Sequence, residues 1–528
     1  MNRSKLKCFI AFSIILSLHS PEINAKVNTY KPRIIITADP ELDDNNSLIR
    51  FLMYSSEFDI EGLVYASSQF HWKGDGKGTK FMVKGREYTR YGLNLCPCES
   101  YRWKKDERFI HEAVEAYEKV YSNLKIHNAS YPTPEYLKSK VKYGNIEFEG
   151  DFTKDTEGSD LIKSVILDNE PGKLFITAWG GASTISRALK SIEDQYKYTA
   201  QWGTIKKKIS EKVVLLPSGD QDGTVASYIK VQWPDIESRQ YRKGPNYGYG
   251  AQLAANPVNA ALLTTEWMQE NILSKGPLGA IYRVWGDGKR MVEGDIFDYF
   301  GMDGYTGEQL KKMGYIVWMP VQKKGSWLGE GDTGTFMNIL SNGLNAWEKE
   351  TPGGWGGRPF VPNPVTYVDP FSNDTSKRKD LVISASTYRT VSPDDSDYVE
   401  YPNFFPAAQN DFAARLVWST TPSFKNANHA PVIQLKNQSV IHAKSGDLIN
   451  VGAKVNDPDG DTYEVNWWQF RTLKSEPNVE IQSQNTLSTF IKIPAGAANH
   501  QTVALVIEVK DNGKTSLTSY KTIHIVID

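Results

Sequence analysis

From Lys31 to about Thr421, short apolar runs alternate with stretches whose apolar residues recur at helical spacing. Ile34 to Ile36 reads as a buried strand, Ser47 to Met53 as the start of a helix, and Ile60 to Ala66 as a second strand. Glu107 to Leu124 predicts one long amphipathic helix. Lys173 to Thr177 and Lys212 to Leu216 read as further strands, with a helix over Ser183 to Ile192 between them. This rhythm predicts an α/β domain, a mostly parallel sheet with helices on both faces. From Asn426 the pattern changes. Val432–Leu435, Leu448–Val455, Tyr463–Phe470, Thr489–Ile493, Thr502–Val509 and Tyr520–Ile527 are short alternating runs separated by turn residues. They predict a C-terminal all-β immunoglobulin-like sandwich. The organisation read from the pattern is residues 26–425 for the α/β domain, 426–431 for a linker and 432–528 for the sandwich.

The first 25 residues have a different character. Arg3, Lys5 and Lys7 precede an apolar run from Cys8 to Leu18, and Ile23-Asn24-Ala25 forms a cleavage signal. This predicts export, to the periplasm or beyond, with cleavage near Ala25. Cys8 opens the apolar run instead of closing it, which argues against a lipoprotein signal. No later stretch is apolar enough to span a membrane. Cys96 and Cys98 flank Pro97; two thiols do not make a zinc site, so free thiols and a local bridge both stand. Lys and Arg number 61 against 62 Asp and Glu, a balance that offers no electrostatic grip on nucleic acid or an anionic membrane. Aromatic residues make up 12% of the chain, which serves large cores and sugar-stacking platforms alike.

Three aspartates, Asp39, Asp43 and Asp44, fall within six positions directly after the first strand. In a parallel sheet this is the carboxyl edge, where such folds bind ligands. Like charges so close repel unless something neutralises them, and a hard divalent cation such as Ca²⁺ does so with oxygen ligands. A helix cap would need only one of the three. The turn Asp457-Pro458-Asp459-Gly460-Asp461 resembles the acidic turn of cadherin-like and related bacterial sandwich domains; a Ca²⁺ loop and a plain acidic hairpin both stand.

The stretch Asp39-Pro40-Glu41-Leu42-Asp43-Asp44 resembles the opening of the nucleoside hydrolase superfamily, Asp-x-Asp-Pro-Gly-x-Asp-Asp, with Thr37 in place of its first Asp and Glu41 in place of its Gly. The wider chain is similar to a secreted branch, the nucleoside hydrolase-like "cellulose-binding" proteins, which join such a domain to a C-terminal β-sandwich. The resemblance implies a Ca²⁺ held by Asp39, Asp44, the Ser183 carbonyl and Asp332. Ser183 matches the Thr of the superfamily's Leu-Gly-Pro-Leu-Thr-Asn stretch, and Asp332 the Asp of its His-Asp-Pro stretch, where Gly331 replaces the His that helps protonate a departing purine. Asp39 is then the general base and Asp43 holds a sugar hydroxyl. Trp179, Asp220, Gln221, Asp222 and Glu330 are further expected sugar contacts. His71, after the second strand, reads either as a crevice residue or as a structural one. No Ser-His-Asp triad, phosphate loop or dinucleotide fingerprint is present. The expected activity is Ca²⁺-dependent hydrolysis of a glycosidic bond, in an N- or O-glycoside, with a carbohydrate or nucleoside-like small molecule as partner. The alternative is a non-catalytic carbohydrate-binding protein that retains the fold. Assembly into a homo-oligomer is left open.

Overall fold

A computed structural model describes residues 31–89, 92–348, 351–360 and 395–528. The expected export signal at 1–25 lies outside them. Strands β1 (Arg33–Ala38), β2 (Asp59–Tyr65), β3 (Val141–Tyr143), β4 (Leu174–Ala178), β5 (Val213–Pro217) and β6 (Glu237–Ser238) form one sheet in the order β3-β2-β1-β4-β5-β6. All its pairings are parallel. The strands are apolar on both faces because both are covered. Ile34, Ile36, Leu63, Phe175 and Leu216 pack on one side; Ile35, Val64, Ile176 and Leu215 pack on the other. The chain works outward from β1 through β2 to β3, then returns to β1's other side with β4. This reversal opens a crevice between the carboxyl ends of β1 and β4, the place where open α/β sheets take ligands.

The strands that were predicted, β1, β2, β4 and β5, fall within a residue or two of their expected positions; β3 and β6 were not foreseen. The long helix does not survive as one piece. It runs Phe109–Glu118 and then Tyr121–His127, because the chain turns at Lys119 and Val120 to bury both Val120 and Leu124. Cys96 and Cys98 are bonded to each other. No helix among the described residues is long and apolar enough to cross a membrane.

After β6 the chain makes a two-stranded ribbon, β7 (Gln240–Arg242) with β8 (Arg358–Phe360), and a long run of short helices and turns roofs the carboxyl edge of the sheet. Helix Phe405–Thr420 then crosses back and is buried around most of its circumference. Beyond it come β9 (Val432–Leu435), β10 (Val440–Ala443), β11 (Leu448–Asn456), β12 (Tyr463–Gln469), β13 (Glu480–Ile481), β14 (Ser488–Lys492), β15 (Thr502–Asp511) and β16 (Thr518–Ile527). They form two four-stranded sheets, β10-β16-β15-β12 and β13-β14-β11-β9, around a core that includes Trp467, Ile491, Leu505 and Ile523. The outer face of the first of these sheets is apolar too. Phe470, Val506 and Tyr520 belong to the same buried cluster as Ile34 and Leu52. The 426–431 segment is equally packed: the Trp418 indole donates to the Asn428 carbonyl at 2.8 Å, and His429 stacks on Phe424 with ring centres 3.7 Å apart.

Candidate functional site

Parallel register brings four strand ends level. Ala38 lies opposite Tyr65, Thr37 opposite Ala178, and Ala178 opposite Pro217. The residues just past these ends therefore share one crevice: Asp39 after β1, Ser68 and His71 after β2, Trp179 and Gly180 after β4, Ser218 after β5. Asp39 is wholly buried. Its Oδ2 accepts from the Ser68 hydroxyl and faces His71 Nδ1 at 3.1 Å, while its Oδ1 is buried with no donor. The backbone approaches Asp39 so closely at Gly180 that a Cβ there would stand 2.9 Å from the carboxylate.

Asp43 and Asp44 sit in the first turn of helix Leu42–Met53. Asp44 accepts the Asp39 amide at 3.1 Å and shares a hydrogen bond with Asp332. Asp332, which begins helix Thr333–Met337, also accepts from the Ser218 hydroxyl. Asp43 accepts from the Tyr249 hydroxyl at 3.1 Å and from the Gly331 amide. Glu41 completes the set, and oxygens of Glu41, Asp43 and Asp44 lie within 4.8 Å of one another. The crowding shows in the protonation of the acids. Burial, then the Asp39 charge, pushes Asp43 up to about 6. Burial and neighbouring carboxylates hold Glu41, Asp44 and Asp332 well above the usual range. Burial followed by the Arg102 charge lowers His71, so its neutral ring donates from Nδ1 to Asp39. Five carboxylates, four of them buried and one of these with an orphaned oxygen, form a donor set of hard oxygens suited to Ca²⁺.

Above the acids opens a cleft of 810 Å³, with Glu41 and Asp43 in its floor. Phe70, Tyr241, Tyr247, Tyr249, Phe297 and Trp318 give it aromatic walls. Two long loops rich in Gly, Trp and Tyr, around Tyr241–Tyr249 and Lys324–Thr335, contribute much of this lining.

Residues 33–359 match the family model described as cellulose-binding Sde182, nucleoside hydrolase-like domain, and residues 448–527 match that of the cellulose-binding protein Sde0182, C-terminal domain. The chain belongs to the Sde182 family. A solved structure of a nucleoside hydrolase-related hypothetical protein from Saccharophagus degradans, associated with carbohydrate metabolism, shares the fold at a TM-score of 0.65 and 21% identity, over 94% of this chain and 100% of that one. A chimeric titin Z1Z2 structure matches 19% of this chain and 97% of its own length at 21% identity, with a TM-score of 0.13. No curated protein matches the chain.

In this Sde182-family chain, Asp39, Asp43, Asp44 and Asp332 converge although nearly three hundred positions separate the last from the others. The remaining expected residues are distributed differently. Glu330 is fully buried beneath the crevice, paired with Arg50 at 2.5 Å and receiving the Tyr282 and Thr333 hydroxyls. An acid so enclosed reaches no sugar in the cleft. Trp179 is likewise buried, donating to the Thr335 hydroxyl and packed against Phe51 and Phe336. Asp222 holds the Ser183 amide at 2.8 Å and the Thr224 amide and hydroxyl, below the cleft. Asp220 and Gln221 do line the cleft, but Asp220 accepts the Val225 and Ala226 amides and Gln221 donates to the Trp179 carbonyl. Sequence reasoning passed over Glu41, Ser68, Ser218 and Tyr249. Only Glu41 carried a signal, an extra acid in an already acidic turn. Gly331, where the superfamily has His, leaves space that the Asp43 carboxylate fills: a Cβ there would meet its Oδ2 at 2.2 Å.

Proposed function

We propose that the protein is an exported, Ca²⁺-dependent hydrolase of a glycosidic bond in a sugar-containing substrate. The observation that carries this reading is the convergence of five carboxylates at the switch point of a parallel sheet, with Asp39 Oδ1 left without a donor. Asp39, Asp44 and Asp332 would hold the ion, with the Ser183 carbonyl as the backbone donor that the family resemblance adds. When bound, the ion offsets the mutual repulsion of the acids and orients sugar hydroxyls. Asp39 takes the proton of the attacking water on its donor-free Oδ1, while Ser68 and His71 fix the carboxylate through Oδ2. Asp43, steadied by Tyr249, accepts a sugar hydroxyl from the cleft floor. The remaining carboxylates favour positive charge developing at the anomeric carbon, and the aromatic walls stack on the sugar and exclude water.

A second reading, carbohydrate binding without chemistry, draws on one observation. No side chain stands at Gly331 to protonate a leaving group, and the Asp43 carboxylate occupies that space. The cellulose-binding description of the family is in keeping with it. Hydrolysis of nucleosides, aryl glycosides and plant-wall oligosaccharides, measured with and without EDTA, tests the first reading. The expected result is turnover that EDTA removes and that Asp39→Asn lowers by about two to four orders of magnitude. Retention on insoluble cellulose with no turnover of any of these substrates would replace the hydrolase with the binding protein.

A further inference from the structure

At one end of the sandwich, far along the chain from the crevice acids, three side-chain oxygens from three separate segments are buried without a donor: Asn428 Oδ1, Asp457 Oδ2 and Asp511 Oδ2. Asp457 opens the turn between β11 and β12, and its Oδ1 already accepts the Asp459 and Asp461 amides at 3.0 and 2.9 Å. Asp511 ends β15 opposite Tyr463 and is 3% exposed. Its Oδ1 accepts three donors, Asn428 Nδ2, the Gly513 amide and the Leu517 amide, each at 3.0 Å. Asn428 comes from the segment leaving helix Phe405–Thr420. Its Nδ2 donates to Asp511 and to the Thr515 carbonyl, which fixes which way the amide faces and leaves Oδ1 as the free acceptor. The close approach needs Gly513, where a Cβ would stand 2.3 Å from the Asn428 amide nitrogen.

Burying an acceptor without a donor is costly, and more so when it is charged. Here two carboxylates and an amide carbonyl meet that cost together, and the Asp457 charge adds to burial in holding Asp511 above its usual range. An oxygen-seeking cation placed between them would satisfy all three at once. We propose that Asn428, Asp457 and Asp511 hold a Ca²⁺ that clips the sandwich to the segment following helix Phe405–Thr420. The acidic turn takes part through Asp457 only: Asp459 is engaged with His429, accepting its amide at 2.7 Å. The clip is independent of the crevice, since no residue is shared.

The test is the number of Ca²⁺ ions bound per full-length chain, measured by equilibrium dialysis with Ca²⁺ as the only added ligand. Asp511→Asn is expected to bind one ion fewer than wild type, whether or not the crevice also binds one, and Asn428→Ala to bind that ion at least tenfold more weakly. An unchanged count in a folded Asp511→Asn chain overturns the proposal. Wild-type crystals soaked in Mn²⁺ provide a reading that needs no variant. An anomalous peak between Asp457 and Asp511 supports the clip, and its absence in loaded crystals refutes it.

Discussion

Single residues decide what the crevice can do, and they do so through partners distant in sequence. Glu330 illustrates this. Beside Asp332 it reads as a spare acid for a sugar, yet its partner Arg50 lies 280 positions away and encloses it completely. Nothing in the local sequence announces such a pair. Glu330→Gln leaves the Arg50 charge buried without its counter-ion and is expected to destabilise the protein by about 3–5 kcal/mol. Denaturant unfolding measures this, and ligand affinity of the folded fraction should not change. The aspartates of the first turn were legible because three like charges cannot share six positions without a purpose. Ser68, Ser218 and Tyr249 were not, since a lone hydroxyl carries no pattern. At about a hundred times the crevice Kd, the crevice Ca²⁺ should add about 2.7 kcal/mol to wild type, and Asp44→Ala should lose that share in a thermal melt while keeping any gain from the sandwich ion.

The elements were the most readable level. Apolar β-branched runs bounded by turn residues located β1, β2, β4 and β5, because a strand buried on both faces leaves little choice of residue. Glu107 to Leu124 kept its amphipathic spacing across a break, and spacing alone cannot reveal a turn that preserves the buried face. Ion pairs at the amino edge of the sheet hold the elements together. Asp168, after helix Glu157–Leu167, receives Arg33 from β1 at 2.6 Å and Lys212 at the end of helix Trp202–Lys212. Burial raises its pKa, but these hydrogen bonds outweigh it and bring the carboxyl down to about 2 from an ordinary 3.8. A depressed acid adds stability above its ordinary value and loses it as the pH falls through the folded value. Asp168→Asn should therefore melt below wild type at pH 7, with the gap closing between pH 4 and pH 2 in a series of melts.

For the whole molecule, the sequence showed two fold types. It did not show how completely the sandwich is used as packing material. Adjacent residues on a strand point to opposite faces, and Trp467 and Trp468 follow that rule. Trp467 fills the sandwich core, while Trp468 rests on Phe404 and Phe470 and donates to Glu508 at 3.0 Å. Trp468 thus serves as an anchor between the two folds. Trp468→Ala is expected to cost the full-length protein roughly 2–4 kcal/mol in urea unfolding and to leave retention on cellulose as it was.

The shared core also bears on the order in which the chain can be finished. Tyr520, on β16, sits in the same apolar cluster as the first strand, its amide donates to the Asn342 carbonyl, and the backbone at Gly343 passes so near that a Cβ would stand 1.8 Å from the Tyr520 carbonyl oxygen. Contacts between segments far apart in sequence form late and slow folding. Domains whose cores are complete in themselves fold one after another during synthesis, amino-terminal first. Here the packing that closes over the α/β half awaits β16, the described strand farthest along the chain from β1. Chains truncated before residue 518 should stay protease-sensitive throughout, in limited proteolysis against the chain that includes β16.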